Sequence, residues 1–281
     1  MVTRRSFALF LCAAALAQAQ PQRIVSTAPS ITELLYALGL GDRVVGVTRF
    51  CRYPPEAQLK TKIGDYTAPN LEAIAALKPD LVIVQSNPVK LRQRLEALHL
   101  RVLEINQDSI AAIHVSIEQV SVVTGTQGAG ARLRAAIDQG LGTIRARTSS
   151  MPRVKMMFVV GRSPNRLDGL VVAGRASYLN EVIEIAGGTN VFRDAMAAYP
   201  EVSLEEVMAR NPEAIIDMGD MSDTVGVTES HKREVIALWN RAPNLAAVKT
   251  HRVFAVASDM FVVPGPRVID AAKAFAEMLH P

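Results

Sequence analysis

Cysteine, aromatic residues and net charge are all scarce in this chain. Two cysteines in 281 residues exclude a disulfide-built scaffold, which needs several bridges in a short chain. With 31 Lys+Arg against 27 Asp+Glu, a formal +4, the chain lacks the basic footprint of a nucleic-acid binder. No apolar run reaches the roughly 20 residues that a membrane-spanning helix needs. Catalytic signatures are missing too: no His-x-x-x-His pair, no Gly-x-Ser-x-Gly elbow and no Walker-type phosphate loop occurs. The histidines, His99, His114, His231, His251 and His280, stand apart and read as surface or capping residues. Gly39-Leu-Gly41 has no third glycine and reads as a helix C-cap, not a dinucleotide fingerprint. These gaps predict no catalytic residue, no metal site and no cofactor.

Much is present. A hydrophobic fraction of 49% excludes disorder, and the length suggests two domains at roughly 150 residues each. Residues 1–19 read as a secretion signal, with Arg4 and Arg5 as its basic start, an apolar run from Phe7 to Leu16 and Ala17-Gln18-Ala19 for cleavage. Thr3-Arg4-Arg5-Ser6-Phe7 also resembles a twin-arginine signal. Phe10 and Leu11 before Cys12 argue against a lipoprotein. Cleavage after Ala19 removes two basic residues and one cysteine, leaving a nearly neutral exported chain. Its one thiol, Cys51, reads as a small apolar residue.

Short β-branched runs alternate with helical patterns. Strands are expected at Ile24–Ser26, Arg43–Val47, Leu81–Val84, Arg101–Ile105, Val154–Val160, Ala214–Asp217 and Arg252–Val256. Continuous apolar runs of this kind mark strands covered on both faces, and their alternation with helices predicts α/β lobes with parallel sheets. Ser30-Ile-Thr-Glu33 and Ser203-Leu-Glu-Glu206 have capping-box spacing, while Lys78-Pro79 and Asn211-Pro212 close helices. The chain also repeats itself: Leu71–Val84 aligns without a gap on Leu204–Asp217, sharing a Leu-Glu start, a Pro-acid step and an apolar strand. Between the halves, Leu133, Ile137, Leu141 and Ile144 keep helical spacing. The expected organisation is an N-terminal lobe over 22–125, a semi-rigid linking helix over 126–150 and a C-terminal lobe over 151–281.

In open α/β sheets, ligands bind beyond the carboxyl ends of strands. Those ends carry Pro29 and Ser30, the Arg49–Tyr53 loop, Gln85-Ser86-Asn87-Pro88, Arg162 and its neighbours, and Asp259-Met260-Phe261. Phe50, Tyr53, Tyr66, Tyr199 and Phe261 all fall in such loops, and flat apolar faces there suit a large planar ligand. Tyr53 and Tyr199, each beside a proline, equally suit loop packing. Glu72 and Glu205 are the matched acids of the repeat. Each complements a helix dipole, or offers one exposed carboxylate per lobe to the arginines of a two-fold partner.

These residues carry a resemblance. Arg23-Ile-Val-Ser-Thr-Ala-Pro-Ser-Ile-Thr-Glu-Leu-Leu, Tyr53-Pro-Pro-Glu-Ala-Gln, Asn70-Leu-Glu-Ala-Ile, Leu77-Lys-Pro-Asp-Leu-Val-Ile and Ser203 with Glu205 resemble the substrate-binding proteins of vitamin B12, siderophore and haem ABC importers, and the B12 binders among them. The resemblance runs from about Arg23 onward. It implies two Rossmann-like lobes joined by one long helix, a monomeric periplasmic receptor, and Glu72 and Glu205 as docking carboxylates for a dimeric permease at the inner membrane. It also implies a cleft ligand, a corrinoid first and haem or a ferric siderophore as alternatives. Phe50, Tyr66 and Asp259-Met260-Phe261 fall where B12 binders carry cleft residues. Val262-Val263 and Gln85 depart from that pattern, and Cys51 has no disulfide partner. Haem would call on Tyr66 or Tyr199 as an iron ligand, and a ferric siderophore on Arg49, Arg52 and Arg162. An exported enzyme or a sensory binding subunit on the same scaffold is the reading from another class.

Overall fold

Val, Ile and Leu dominate the short apolar runs, and with polar breaks on either side they form strands buried on both faces. A computed structural model describes residues 20–86, 90–220 and 228–281. The secretion signal expected over 1–19, and Asn87-Pro88 of the third cleft loop, lie outside the described residues. The first lobe runs β1 (Ile24–Ser26), α1 (Pro29–Ala37), β2 (Val44–Val47), β3 (Thr61–Lys62), α2 (Leu71–Ala76), β4 (Leu81–Gln85), α3 (Leu91–Glu96), β5 (Val102–Ile105) and α4 (Ile110–Thr124). After α5 (Gln127–Thr148) come β6 (Val154–Gly161), β7 (Leu170–Val172), α6 (Tyr178–Ile185), β8 (Gly188–Asn190), β9 (Glu201–Val202) and α7 (Leu204–Arg210). The chain ends through β10 (Ala214–Asp217), α8 (Glu229–Trp239), α9 (Ala246–Lys249), β11 (Val253–Ala255) and α10 (Val268–Leu279).

The first sheet has the order β3-β2-β1-β4-β5 and is parallel throughout. The second has the order β11-β10-β6-β7-β9, with β8 beside one end of β6. Its β6-β10-β11 part is parallel, as the sequence pattern led us to expect, and β8, a strand the pattern did not show, pairs parallel with β6 as well. To this β7 and β9 add an antiparallel edge, a common finish to a parallel sheet. The sequence repeat has a structural counterpart: α2–β4 and α7–β10 are the same helix–strand step, one in each lobe. Lys78 and Asn211, each just before the proline, both turn with φ of 45°.

The structure corrects one expectation about helix starts. Ser203 caps α7, its Oγ accepting from Glu206 N at 3.2 Å. Ser30, by contrast, lies inside α1, whose cap is Ala28 with no side-chain bond. Pro29 is already shaped for the first helical turn, so Glu33 is released from capping and points elsewhere.

Helix α5 packs against α4 on one side and against α6 and α10 on the other. Its Ile137, Leu141 and Ile144 belong to an apolar cluster that includes Ile117 and Val120 of α4 together with Phe275 of α10. Two glycines permit this closeness. A Cβ on Gly130 would stand 2.7 Å from the Ser121 side chain, and one on Gly140 would stand 2.9 Å from Ile269. Glycine inside a helix costs about 1 kcal/mol relative to alanine, and here it brings both lobes onto one rod.

Candidate ligand cleft and interlobe clamp

A cavity of about 540 Å³ lies where the carboxyl ends of the strands face each other across the lobes. That volume is within the roughly 300–1,000 Å³ of small-molecule sites. Pro29 and Ser30 enter from the first turn of α1, Phe50 from the loop after β2, Tyr66 from the loop after β3, and Gln85 from the end of β4. Tyr199 and Asp259 come from the second lobe. These seven expected residues converge on one space. The mouth is open at Phe50 and Tyr199, each 42% exposed, which leaves two flat faces to lie against a broad ligand.

Four other expected contacts stand elsewhere. The Arg162 side chain is 6% exposed and donates through Nε to Asp217 Oδ2 at 3.0 Å. Asp217 is wholly buried and also accepts from Trp239 Nε1 at 2.7 Å and Gly219 N at 2.6 Å. Arg162 therefore neutralises a buried carboxylate. A tight turn at Asp259–Phe261, in which Ser258 Oγ accepts from Met260 N, sends Phe261 inward. Its ring stacks on Phe275 at 5.4 Å and meets Phe158 at 6.0 Å, and Met260 packs half-buried against the same core. Tyr53 does not line the cavity either. Its ring carries the Arg267 guanidinium at 4.3 Å.

Arg267 was not visible as a site residue in the sequence. It sits just before α10 in the second lobe, and its Nε donates to Glu33 Oε2 on α1 of the first lobe at 2.9 Å. Its Nη2 reaches Glu33 Oε1 as well, and Asp259 Oδ1 at 2.9 Å. The Glu33 side chain is only 2% exposed. Burial pushes its carboxyl up to about 7 from an ordinary 4.5, against the lowering effect of Arg267, while Asp259 and Asp270 add to the rise. A second polar joint lies where Glu181 Oε1 of α6 accepts from Ile110 N at the start of α4, at 3.0 Å. Asp259 has a double position: it lines the cavity and belongs to the interlobe clamp.

The cavity wall holds more that the sequence reading passed over. Asp65 pairs with Arg49, whose guanidinium lies 4.9 Å from the Phe50 ring centre. Gln107 and Asp108 follow β5 on the wall, at a strand end obeying the same rule as the others. Gln107 is fully buried, and neither its Nε2 nor its Oε1 has a hydrogen-bond partner. An unpaired buried polar group costs about 1–3 kcal/mol. Asp108 is exposed at the mouth. Burial first, and the charge of Asp108 besides, push the Tyr66 and Tyr199 phenols up, although Ser177 bonds the Tyr199 hydroxyl and offsets part of its rise.

Glu72 and Glu205 are exposed in the first turns of α2 and α7, outside the cavity. The Glu205 carboxyl is held below the usual range by its own backbone N–H and the Ser203 hydroxyl. Among the described residues, no three His, Cys, Asp or Glu side chains are grouped to hold a metal ion. None of the described helices is long and apolar enough to cross a membrane.

Comparison with known proteins agrees with this geometry. The vitamin B12-binding protein of Vibrio parahaemolyticus is 30% identical over 94% of this chain and 91% of that protein. That of Pectobacterium atrosepticum is 29% identical over 96% of this chain and 92% of its own length. Among solved structures, the periplasmic vitamin B12 binding protein of Vibrio cholerae superposes with a TM-score of 0.77 at 28% identity, covering 92% of this chain and 96% of the other. The periplasmic heme-binding protein of Roseiflexus reaches 0.74 at 27% identity, covering 92% and 98%. Residues 24–260 match the family described as periplasmic binding protein, to which this chain therefore belongs.

Proposed function

We propose that this protein captures a corrinoid in the interlobe cavity, in the periplasm, and delivers it to the permease of an ABC importer. The observation that carries the ligand choice is the charge of the cavity wall. Among the described lining residues, Asp65 is paired with Arg49 and Asp259 with Arg267 of the clamp, which leaves Asp108 as the wall charge without an ion-pair partner and no unpaired guanidinium to meet an anionic ligand. Such a wall disfavours anionic haem and anionic ferric siderophores, and tolerates a corrinoid, whose macrocycle has amide arms and no carboxylates. A corrinoid is larger than the cavity, so its far edge stays in the open mouth beside Phe50 and Tyr199. The mechanism is capture and release without a covalent step. The secretion signal read over residues 1–19 supports export, and Glu72 and Glu205, one exposed acid on each lobe, support docking to a two-fold permease.

Haem is the second reading, favoured by the likeness to the Roseiflexus protein and by two cavity tyrosines. A ferric haem takes tyrosine as phenolate, and burial together with Asp108 pushes Tyr66 and Tyr199 away from that form. Titration calorimetry with cyanocobalamin, dicyanocobinamide, haem and a ferric siderophore separates these readings. A 1:1 complex with a corrinoid is the expected result. The absence of corrinoid heat at micromolar protein would overturn it.

A further inference from the structure

Gln85 ends β4, and Gln107 lies just beyond β5, its neighbour in the sheet, so two carboxamides reach the cavity wall from adjacent strand ends. Gln107 is the unusual one, because its donor and its acceptor are both unpartnered in a fully buried residue. Native interiors rarely leave such groups unsatisfied. A ligand group that answers both atoms at once must itself accept and donate side by side, which is what a primary carboxamide does. A ligand carboxylate would answer Nε2 alone, and would set its charge against Oε1 and the adjacent Asp108.

We propose that Gln107 reads a primary carboxamide on the edge of the ligand, its Nε2 donating to the amide carbonyl and its Oε1 accepting from the amide N–H. Both atoms are closed off from bulk water, so the pairing takes a rotation of a side chain that already lines the cavity. The inference rests on the corrinoid reading and deepens it. Corrins are fringed with carboxamides and porphyrins with carboxylates, so Gln107 sorts the two by the chemistry of their edges. Sites built to hydrogen-bond a substrate N–H or O–H discriminate strongly against analogues that lack it.

The test uses two neutral-edged corrinoids, dicyanocobinamide and dicyanocobyrinic acid heptamethyl ester, which replaces every amide by an ester without a donor. The unaltered protein should bind the amide form at least tenfold more tightly. Gln107→Leu should bind the two forms equally, near the affinity of the ester. Gln107→Met, which keeps the length of the side chain, should do the same and guards against a variant that fails to fold. Thermal unfolding without ligand should be unchanged or raised in both variants, since an orphaned polar group has been removed. Equal binding of both corrinoids by the unaltered protein, or a preference that survives in Gln107→Leu and Gln107→Met, would overturn the amide inference and leave the corrinoid reading standing. Failure of both corrinoids to bind the unaltered protein would overturn the corrinoid reading itself, and this inference with it.

Discussion

Replacing Glu33 by Gln keeps the shape of the side chain beneath the cleft and removes its charge. In the unaltered protein the Glu33 carboxyl, raised to about 7 from 4.5, holds a proton when folded that it loses when unfolded across that window. Stability therefore falls as pH climbs from about 4.5 to about 7, and levels off above. At about 1.4 kcal/mol per pH unit, the window amounts to about 3 kcal/mol. For a chain of this size that is about 6–12 °C in Tm. The amide introduced by Glu33→Gln cannot titrate, and its oxygen still accepts from Arg267. Urea unfolding of both proteins from pH 4.5 to 8.5 gives the difference curve, in which the histidines and other carboxyls cancel. The stability of Glu33→Gln minus that of the parent should rise by about 3 kcal/mol across the window and then stay flat. A difference that falls over the same range would mean that the Arg267 guanidinium outweighs burial, and a flat one that the two balance; either refutes the reasoning.

Three further outcomes are expected. Arg162→Met leaves Asp217 buried with its charge uncompensated, so unfolding free energy should drop by about 3–5 kcal/mol while corrinoid affinity is unchanged by calorimetry. Phe50 and Phe261 should behave oppositely: Phe261→Ala costs about 3–5 kcal/mol of stability from the core, and Phe50→Ala leaves Tm within a degree or two but weakens ligand binding. Reversal of Glu72 and Glu205 to Lys should keep ligand affinity and abolish uptake through the permease in a vesicle transport assay; lost ligand affinity would contradict their docking role.

Seven strands of the parallel sheets, β1, β2, β4, β5, β6, β10 and β11, were legible because each is a short apolar run with polar ends, and the shared α5 because Ile137, Leu141 and Ile144 recur at helical spacing. β3 and β8 were not, because Thr61–Lys62 and Gly188–Asn190 carry no apolar run. β9 was not, since Glu201–Val202 is too short to carry a pattern, and β7 rests on the three residues Leu170–Val172. Cavity residues were legible where they end a strand, as with Gln85, and Gln107 could have been found by the same rule. The clamp could not. Arg267 and Glu33 are 234 residues apart, and Glu33 looked like half of a capping box until Pro29 proved to open the helix. Phe261 was misplaced because its loop reads as exposed, whereas a single turn at Ser258–Met260 aims the ring at Phe275.

The glycine-fitted packing of α5 also bears on how the chain folds. Its apolar face completes one core that draws on both sheets, so neither lobe is closed without it. Two lobes that look like independent modules should then gain and lose their structure as a single cooperative unit. Each sheet also keeps a core cluster of its own on its other face, but a fragment holding either sheet alone would expose the seam where α5 belongs.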